Sequence, residues 1–303
     1  MKLKVSILIP TYHNPQKLKR CLTSLMVQVY LPEEVIVMFD SDDSETINII
    51  SSIKEKKTLK IISLPLKKME RMSEILNYGI KASVGDIIAF LDEDIIVKSE
   101  WLSRIIIQFE DKDVCACGGK DVIVFHSKKI NLPETEEVGI LRWKGYIAGN
   151  QHRGCKKREV MFLKGCNMAV RKRYLKALDK HLVGFVRWEQ DIFFNLMRNG
   201  LRIIYDPEIE VSHIKDNMEH SPPLWTYWYG HNTVYLFMKY LRGKDRVLAI
   251  IFFFLIGDGS SPGFIRFPFW VIKRNESSFC TFSISQIGKI KGFLTYIKRG
   301  KRM

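Results

Sequence analysis

Residues 85–95, GDIIAFLDEDI, constrain this chain more than any other stretch: five consecutive apolar residues, 87–91, run into the three carboxylates of Asp92, Glu93 and Asp94. A short apolar run after a glycine and ahead of acids suits a central parallel strand buried on both faces. In an extended chain residues i and i+2 point the same way, so Asp92 and Asp94 share one side while Glu93 points away. Open α/β sheets bind ligands beyond the carboxyl ends of their strands, and paired carboxylates there outline a divalent-metal site. Taken alone, Asp-x-Asp is equally a solvated acidic loop or the N-cap of a helix over 99–109. What surrounds it decides.

Three similar runs precede it. Residues 5–9 are apolar and β-rich and stop at Pro10; Pro15 then opens a helical pattern with Leu18, Cys21, Leu22, Leu25 and Val29 on one face. Between them Thr11, Tyr12, His13 and Asn14 form either an ordinary polar turn or one wall of a nucleotide base site. Residues 34–39 run into Asp40, Ser41, Asp42 and Asp43, with a helix expected over 46–53. The run 59–64 leads through Lys67 and Lys68 to a helix over 69–82, which Gly85 closes. Strands alternating with helices at this spacing predict βαβ units and a parallel sheet, with residues 1–95 as a nucleotide-binding half. The sequence contains neither GxGxxG nor GxxxxGK[ST], so phosphates must be held another way, and a metal on carboxylates is the direct means.

With 303 residues and 46% hydrophobic content the chain fills a large core, which excludes a disordered protein. Cys21, Cys115, Cys117, Cys155, Cys166 and Cys280 lack the paired spacings of zinc or redox sites; they are expected to be reduced, mostly buried and cytosolic. The N-terminal apolar run ends at Pro10, too short for a signal-peptide core, so the sequon at Asn275, Glu276 and Ser277 is expected to be silent. The net charge is +15, and residues 215–303 carry 14 Lys+Arg against 5 Asp+Glu, so the basic character is concentrated in the tail.

Three segments, IPTYHNPQKLKRCLTSL, VIVMFDSDD and NYGIKASVGDIIAFLDED, resemble the N-terminal half of glycosyltransferase family 2, the inverting nucleotide-sugar transferases of the GT-A fold. The resemblance implies that Thr11 and Tyr12 border the nucleoside and that Asp40 reads the base. It also implies that Asp92 and Asp94 form the DxD-type element, with Asp94 the direct ligand of Mn or Mg. Asn77 matches a family Asn. His13 stands where the family has Asn, Ser41 where a second Asp is common, and Leu76 where an Arg often precedes that Asn; Arg71, earlier on the same helix, is the candidate to supply the missing charge.

A strand is expected over 121–125, and FLKGCNMAVRKRYLKAL is similar to the family's G-x-N-x-x-x-R segment, which lines the sugar pocket. There Gly165, Cys166 and Asn167 are read as ending a strand, with Asn167 the site candidate and Arg171, Lys172 and Arg173 a solvated helix start. A second acidic constellation, Glu189 and Asp191, opens a helix whose apolar Ile192, Phe193, Leu196 and Met197 repeat at helical spacing before Gly200. Acids at a helix start are favoured by the macrodipole alone. The resemblance adds that the catalytic base lies here: a gap-free match places Glu189 on it, and a one-residue gap places Asp191. GLRIIYDPEIEVSHI continues the family pattern, and His213 becomes a third metal ligand or a phosphate contact.

Inversion requires the acceptor hydroxyl to lose its proton as it attacks, which a carboxylate can accept, while the diphosphate leaving on the opposite face needs charge neutralisation. Hence two carboxylate sites, one on each side of the sugar.

From Pro222 onward the chain is aromatic and apolar, laced with Lys and Arg; residues 247–257 carry no charge. These runs are too short to span a bilayer, which needs about 20 apolar residues. They suit a monotopic hold on an anionic membrane surface by residues 222–303, helped by Lys289, Lys291, Lys298, Arg299, Lys301 and Arg302. Arg266 and Lys273 lie in the second aromatic run.

The sequence therefore predicts an α/β GT-A-type, Rossmann-like, mostly parallel sheet flanked by helices, with a C-terminal helical amphipathic extension. Its units are a nucleotide-binding half (1–95), an acceptor and catalytic half (96–214) and a basic membrane-associating region (215–303). The expected activity is Mn- or Mg-dependent transfer from a UDP-, GDP- or dTDP-linked sugar to a hydroxyl on a lipid-linked or growing-glycan acceptor, at the cytoplasmic face of a membrane. A glycosyltransferase-like scaffold without activity is the alternative. A nucleic-acid binder fits less well, because the tail is apolar and no familiar reader motif appears.

Overall fold

The structure, a computed structural model, describes residues 3–125, 128–130, 132–142, 145–215, 223–268 and 278–300. The nucleotide half runs β1 (Val5–Pro10), α1 (Pro15–Met26), β2 (Glu34–Asp40), α2 (Ser44–Lys54), β3 (Ile61–Leu66), α3 (Met72–Ala82) and β4 (Ile87–Leu91). There follow β5 (Ile95–Val97), α4 (Trp101–Gln108), β6 (Val114–Phe125) and the short strands β7 (Lys128–Lys129), β8 (Ile140–Leu141), β9 (Ile147–Ala148) and β10 (Arg158–Glu159). The rest is β11 (Asn167–Arg171), α5 (Trp188–Arg198), β12 (Arg202–Lys215), α6 (Pro223–Tyr240), α7 (Gly243–Leu255) and α8 (Ser278–Gly300). Lys273, Asn275, Glu276, Ser277, Lys301 and Arg302 lie outside the described residues.

One mixed sheet of ten strands orders β10-β12-β6-β11-β4-β1-β2-β3, with β5 paired to β12 and β7 to β6. The strands β4, β1, β2 and β3 are parallel, β11 runs antiparallel between β4 and β6, and β12 lies parallel to β6. Alternate residues along each strand feed opposite faces. Leu8, Ile36, Met38, Ile88 and Phe90 pack under α3, α5, α6 and α7. Ile7, Val35, Val37, Ala89 and Leu91 pack under α1, α2 and α4. Removing such side chains from water is worth about 1.5–3 kcal/mol for each large one, so the sheet is a stiff platform for whatever lies at its ends.

Local signals explain the early boundaries. Pro15 sits in the first turn of α1, and Asp43 caps α2 by accepting from the Thr46 backbone N–H at 3.0 Å. Gly85 does not close α3, which ends at Ala82; it is required because a Cβ there would lie 2.5 Å from the backbone nitrogen of Ser6.

Elsewhere tertiary context moves the elements. β6 starts at Val114, well ahead of the expected 121–125, because its first half, VCACGG, consists of small buried residues with weak strand preference. Asn167 begins β11 instead of ending a strand. Arg171 is buried and donates to the carbonyls of Val114 (2.8 Å), Phe109 (2.7 Å) and Asp111 (3.0 Å), so it is no part of a solvated helix start.

The C-terminal region packs inward more than its composition suggests. α6 crosses α8 at close range: a Cβ on Gly288 would lie 2.3 Å from the Tyr227 carbonyl oxygen, and one on Gly292 2.2 Å from that of His231. Tyr229, Tyr235 and Phe237 of α6 are core residues. Lys289, expected from the sequence to face lipid, is fully buried, and its Nζ lies 2.8 Å from the Phe253 carbonyl oxygen, 3.1 Å from that of Pro262 and 3.4 Å from that of Ser261. Among the described residues no helix is long and apolar enough to cross a membrane.

Candidate active site

Strand order reverses between β1, which leads to β2 and β3 on one side, and β4, which adjoins it on the other. Such a switch point leaves a crevice at the carboxyl ends of the strands. A cavity of about 730 Å³ opens there, with Thr11 and Tyr12 after β1 and Asp92, Glu93 and Asp94 after β4 in its wall.

Glu93 belongs to the β1 loop, accepting from the Tyr12 backbone N–H at 2.9 Å and from Asn14 Nδ2 at 2.6 Å. Asp94 turns toward the end of β12. Its carboxylate lies 3.1 Å from His213 Nε2 and 3.1 Å from Lys215 Nζ. Asp92, Asp94 and His213 bring one ligand atom each to within 4.8 Å of one another. Two carboxylate oxygens and an imidazole nitrogen in that space are a donor set that fits Mn2+ or a similar cation.

The charges follow from the packing. Burial raises Asp92 above the usual carboxylate range, and neighbouring Asp94 adds to it. Burial would raise Asp94 too, but the hydrogen bond and charge of His213 and the charge of Lys215 bring it to about 2. Burial would lower His213, yet the neighbouring carboxylates of Asp121 and Asp94 raise it to about 11. A cation taking Nε2 would displace any proton held there.

The start of α5 also contributes to the cavity wall. Gly184, with φ +62°, lets the chain pass against Trp228, and Arg187 adopts φ +63° immediately before the helix. A left-handed conformation is uncommon in a residue with a side chain and is held by its surroundings. The Arg187 guanidinium stacks over the Tyr229 ring at 4.2 Å, hydrogen-bonds the Tyr229 hydroxyl and lies 3.6 Å from Asp258. Trp188 packs against Gly165, where a Cβ would lie 2.4 Å from the indole. This start angle puts Glu189 into the cavity wall, where burial raises its carboxyl and the charge of Arg187 partly opposes the rise.

The remaining sequence candidates lie elsewhere. Asp191 is buried behind α5, 2.5 Å from Lys239 Nζ and 2.8 Å from the Tyr240 hydroxyl. Asn167 is 1% exposed, its amide engaged by Trp101 Nε1, Lys120 O and Ile209 O. Asn77 makes two hydrogen bonds with the backbone of Leu178. Arg71 precedes α3 and donates to Glu74 and to the Lys180 carbonyl. Asp40 accepts from the Asp42 backbone N–H at 3.2 Å, outside the cavity wall.

Sequence reasoning did not single out Lys164, Arg187, Lys215, Trp225 or Tyr229, all of which line the cavity. Lys215 was within reach, because on a strand it shares a side with His213. Trp225 and Tyr229 were read as part of a membrane-facing run, and only the docking of α6 brings them here.

Residues 6–179 match the sequence profile described as Glycosyl transferase family 2, more than half of the 303-residue chain. The chain belongs to that family. The chain is 26% identical over 135 residues to an uncharacterized glycosyltransferase from Nostoc sp., a stretch covering 44% of this chain and 42% of the relative. The chain thus spans less than half of that relative's length.

Two solved structures share its fold. One is the mannosyltransferase PcManGT from Pyrobaculum calidifontis in complex with GDP-Man and Mn2+, at TM-score 0.58 and 13% identity over 98% of this chain and 88% of that one. The other is S. aureus TarS 1–349 in complex with UDP-GlcNAc, at TM-score 0.61 and 16% identity over 97% and 89%. At these identities the likeness is one of fold, and it agrees with the GT-A-type sheet expected from the sequence.

Proposed function

We propose that this glycosyltransferase transfers a sugar with inversion from a nucleoside-diphosphate donor to a hydroxyl acceptor, using a divalent cation and Glu189 as general base. The observation that carries the proposal is the presence, in the wall of one cavity, of both the Asp92, Asp94 and His213 donor set and Glu189. Asp94 and His213, with Asp92 beside them, would hold Mn2+ or Mg2+, which supplies charge neutralisation for the departing diphosphate. Thr11 and Tyr12 would border the nucleoside, and Asp40 at the end of β2 would read the base. Glu189 would take the proton from the attacking hydroxyl, a contribution of about 10²–10⁴-fold. Asp191, Asn167, Asn77 and Arg71 serve the scaffold in this reading. UDP-, GDP- and dTDP-sugars are the candidate donors; the neighbours' GDP-Man and UDP-GlcNAc support that class.

Residues 1–95 would carry the donor and 96–214 the base. Residues 215–303 would do more than anchor, because Trp225, Tyr229 and Ser260 wall the same cavity as Glu189, and the Trp225 indole suits stacking on an acceptor sugar.

A peripheral hold on the cytoplasmic face of a membrane, serving a lipid-linked or growing-glycan acceptor, is supported by exposed apolar positions on two helices. Val247, Ile251 and Leu255 are exposed on α7, and Ile287, Ile290, Leu294 and Ile297 form an exposed stripe on α8, with exposed Lys291 and Lys298 alongside.

The test is a panel of nucleotide sugars with and without Mn2+, scored for donor hydrolysis and transfer. Metal-dependent turnover of one donor, lost in Asp94→Asn, is expected. Turnover by Asp94→Asn equal to wild type at saturating Mn2+ would sink the metal assignment, and no turnover of any donor would favour an inactive scaffold.

A further inference from the structure

The Nδ1 side of His213 holds an arrangement that the proposed function does not use. Asp121 stands in register with Val211 across the parallel β6–β12 pair, and His213 stands in register with Ile123, so Asp121 and His213 are diagonal neighbours. Asp121 is fully buried. One of its oxygens, Oδ2, accepts from Lys164 and lies 4.0 Å from His213 Nδ1. The other, Oδ1, has no partner among the described residues, and neither has the buried His213 Nδ1. Cys166 Sγ completes a group whose ligand atoms all lie within 4.8 Å of one another.

A buried donor or acceptor left unpaired costs about 1–3 kcal/mol, and here His213 Nδ1 and Asp121 Oδ1 are both buried without a partner, while the same Asp121 carboxylate stands 4.0 Å from Nδ1 through Oδ2. A histidine that gives one nitrogen to a cation must keep its proton on the other, and the acceptor of that proton fixes the tautomer and the ring's orientation.

We infer that Asp121 is the positioning residue of His213: by accepting Nδ1–H it directs the Nε2 lone pair into the cavity, toward the cation that Asp92 and Asp94 would share. This rests on the metal reading above. The same three side chains do not form a second metal site, because the Lys164 ammonium already occupies the Asp121 carboxylate and would repel another cation.

The experiment is titration of the full chain with Mn2+ alone, following free Mn2+ by electron paramagnetic resonance. Wild type should bind one ion per chain. Asp121→Asn should raise the Kd by about 10–100-fold at unchanged stoichiometry, Asp121→Glu should recover most of the loss, and Cys166→Ser should stay within about twofold of wild type. With donor present, Asp121→Asn should raise the Mn2+ concentration needed for half-maximal rate and leave the rate at saturating Mn2+ nearly unchanged. If the Asn variant does not fold, Asp121→Ser carries the same expectation. Absence of Mn2+ binding to wild type, or unchanged binding by Asp94→Asn, overturns the metal reading and this inference with it. Loss of binding in Asp94→Asn but not in Asp121→Asn overturns the role of Asp121 alone, as do two ions per chain with one lost on Cys166→Ser.

Discussion

Glu189 and Asp191 stand two residues apart on the first turn of α5 and face different spaces: Glu189 lines the cavity, while Asp191 lies 2.5 Å from Lys239 Nζ in the packing between α5 and α6. Positions i and i+2 on a helix do not share a face, so only one of them can be the base while the other ties α5 to α6. Glu189→Gln is expected to lower the transfer rate by at least about 10²-fold with donor affinity kept. Asp191→Asn should leave most of the chemistry and lower stability by a few kcal/mol, since it removes one partner of a buried ion pair. Rates and urea midpoints of both variants check this; the opposite pattern would exchange their roles.

The environment of Glu189 sets a pH dependence. Burial raises its carboxyl above the ordinary 4.5, with the Arg187 charge opposing. As the proposed base, Glu189 would work only when ionised, so the rate should fall as pH drops through that raised value. Arg187→Gln removes the opposing charge and should move the acid limb to higher pH. Measured kcat/KM profiles check the direction; a limb that stays put would mean that Arg187 does not act on Glu189.

Lys289 links stability to pH. Burial lowers its pKa from 10.5 to about 7, the Asp258 charge opposing only weakly. Between those values the unfolded chain binds the extra proton, so stability rises with pH across this window and is lost as pH falls toward 7. The contribution is of the order of 1 kcal/mol per pH unit. Urea unfolding at pH 7.5 and 9.5 should show a shallower rise in Lys289→Met than in wild type; equal slopes would rule out a neutral amine in the fold.

The stripe on α8 gives a membrane test that leaves the core intact. Ile290→Asp with Leu294→Asp should abolish co-flotation with anionic vesicles without changing turnover of a soluble donor. Lys291→Glu with Lys298→Glu should weaken flotation by about 1 kcal/mol per residue and reduce its salt sensitivity. Flotation unaffected by both pairs would leave these faces to a protein partner.

Much of the architecture was readable because its signals are local. The runs 34–39 and 87–91 are strands within a residue of their expected limits, and Pro15 and Asp43 mark helix starts as capping chemistry requires. β6 and β11 were misplaced because Cys115, Ala116, Gly118 and Gly119 carry little intrinsic strand preference and are held extended by β11 and β12 on either side. Asn167 was chosen for its polarity beside a glycine, yet that amide serves three groups that only the fold gathers, from α4, β6 and β12.

By itself the sequence determined the βαβ alternation, the acids at the ends of β2 and β4 and the pairing of Asp92 with Asp94 in one region, because strand period and turn chemistry act over a few residues. It also brought the second acidic pair and His213 into view, through their order along the chain. Only the tertiary structure decided which acid enters the cavity, that Lys289 is buried while Ile290 and Leu294 are exposed, and that Asp121 stands behind His213. The physical reason is that a side chain's environment depends on how its element is rotated and docked. At α5 that rotation is set by the left-handed Arg187 and by Tyr229 and Asp258, which lie tens of residues away in sequence.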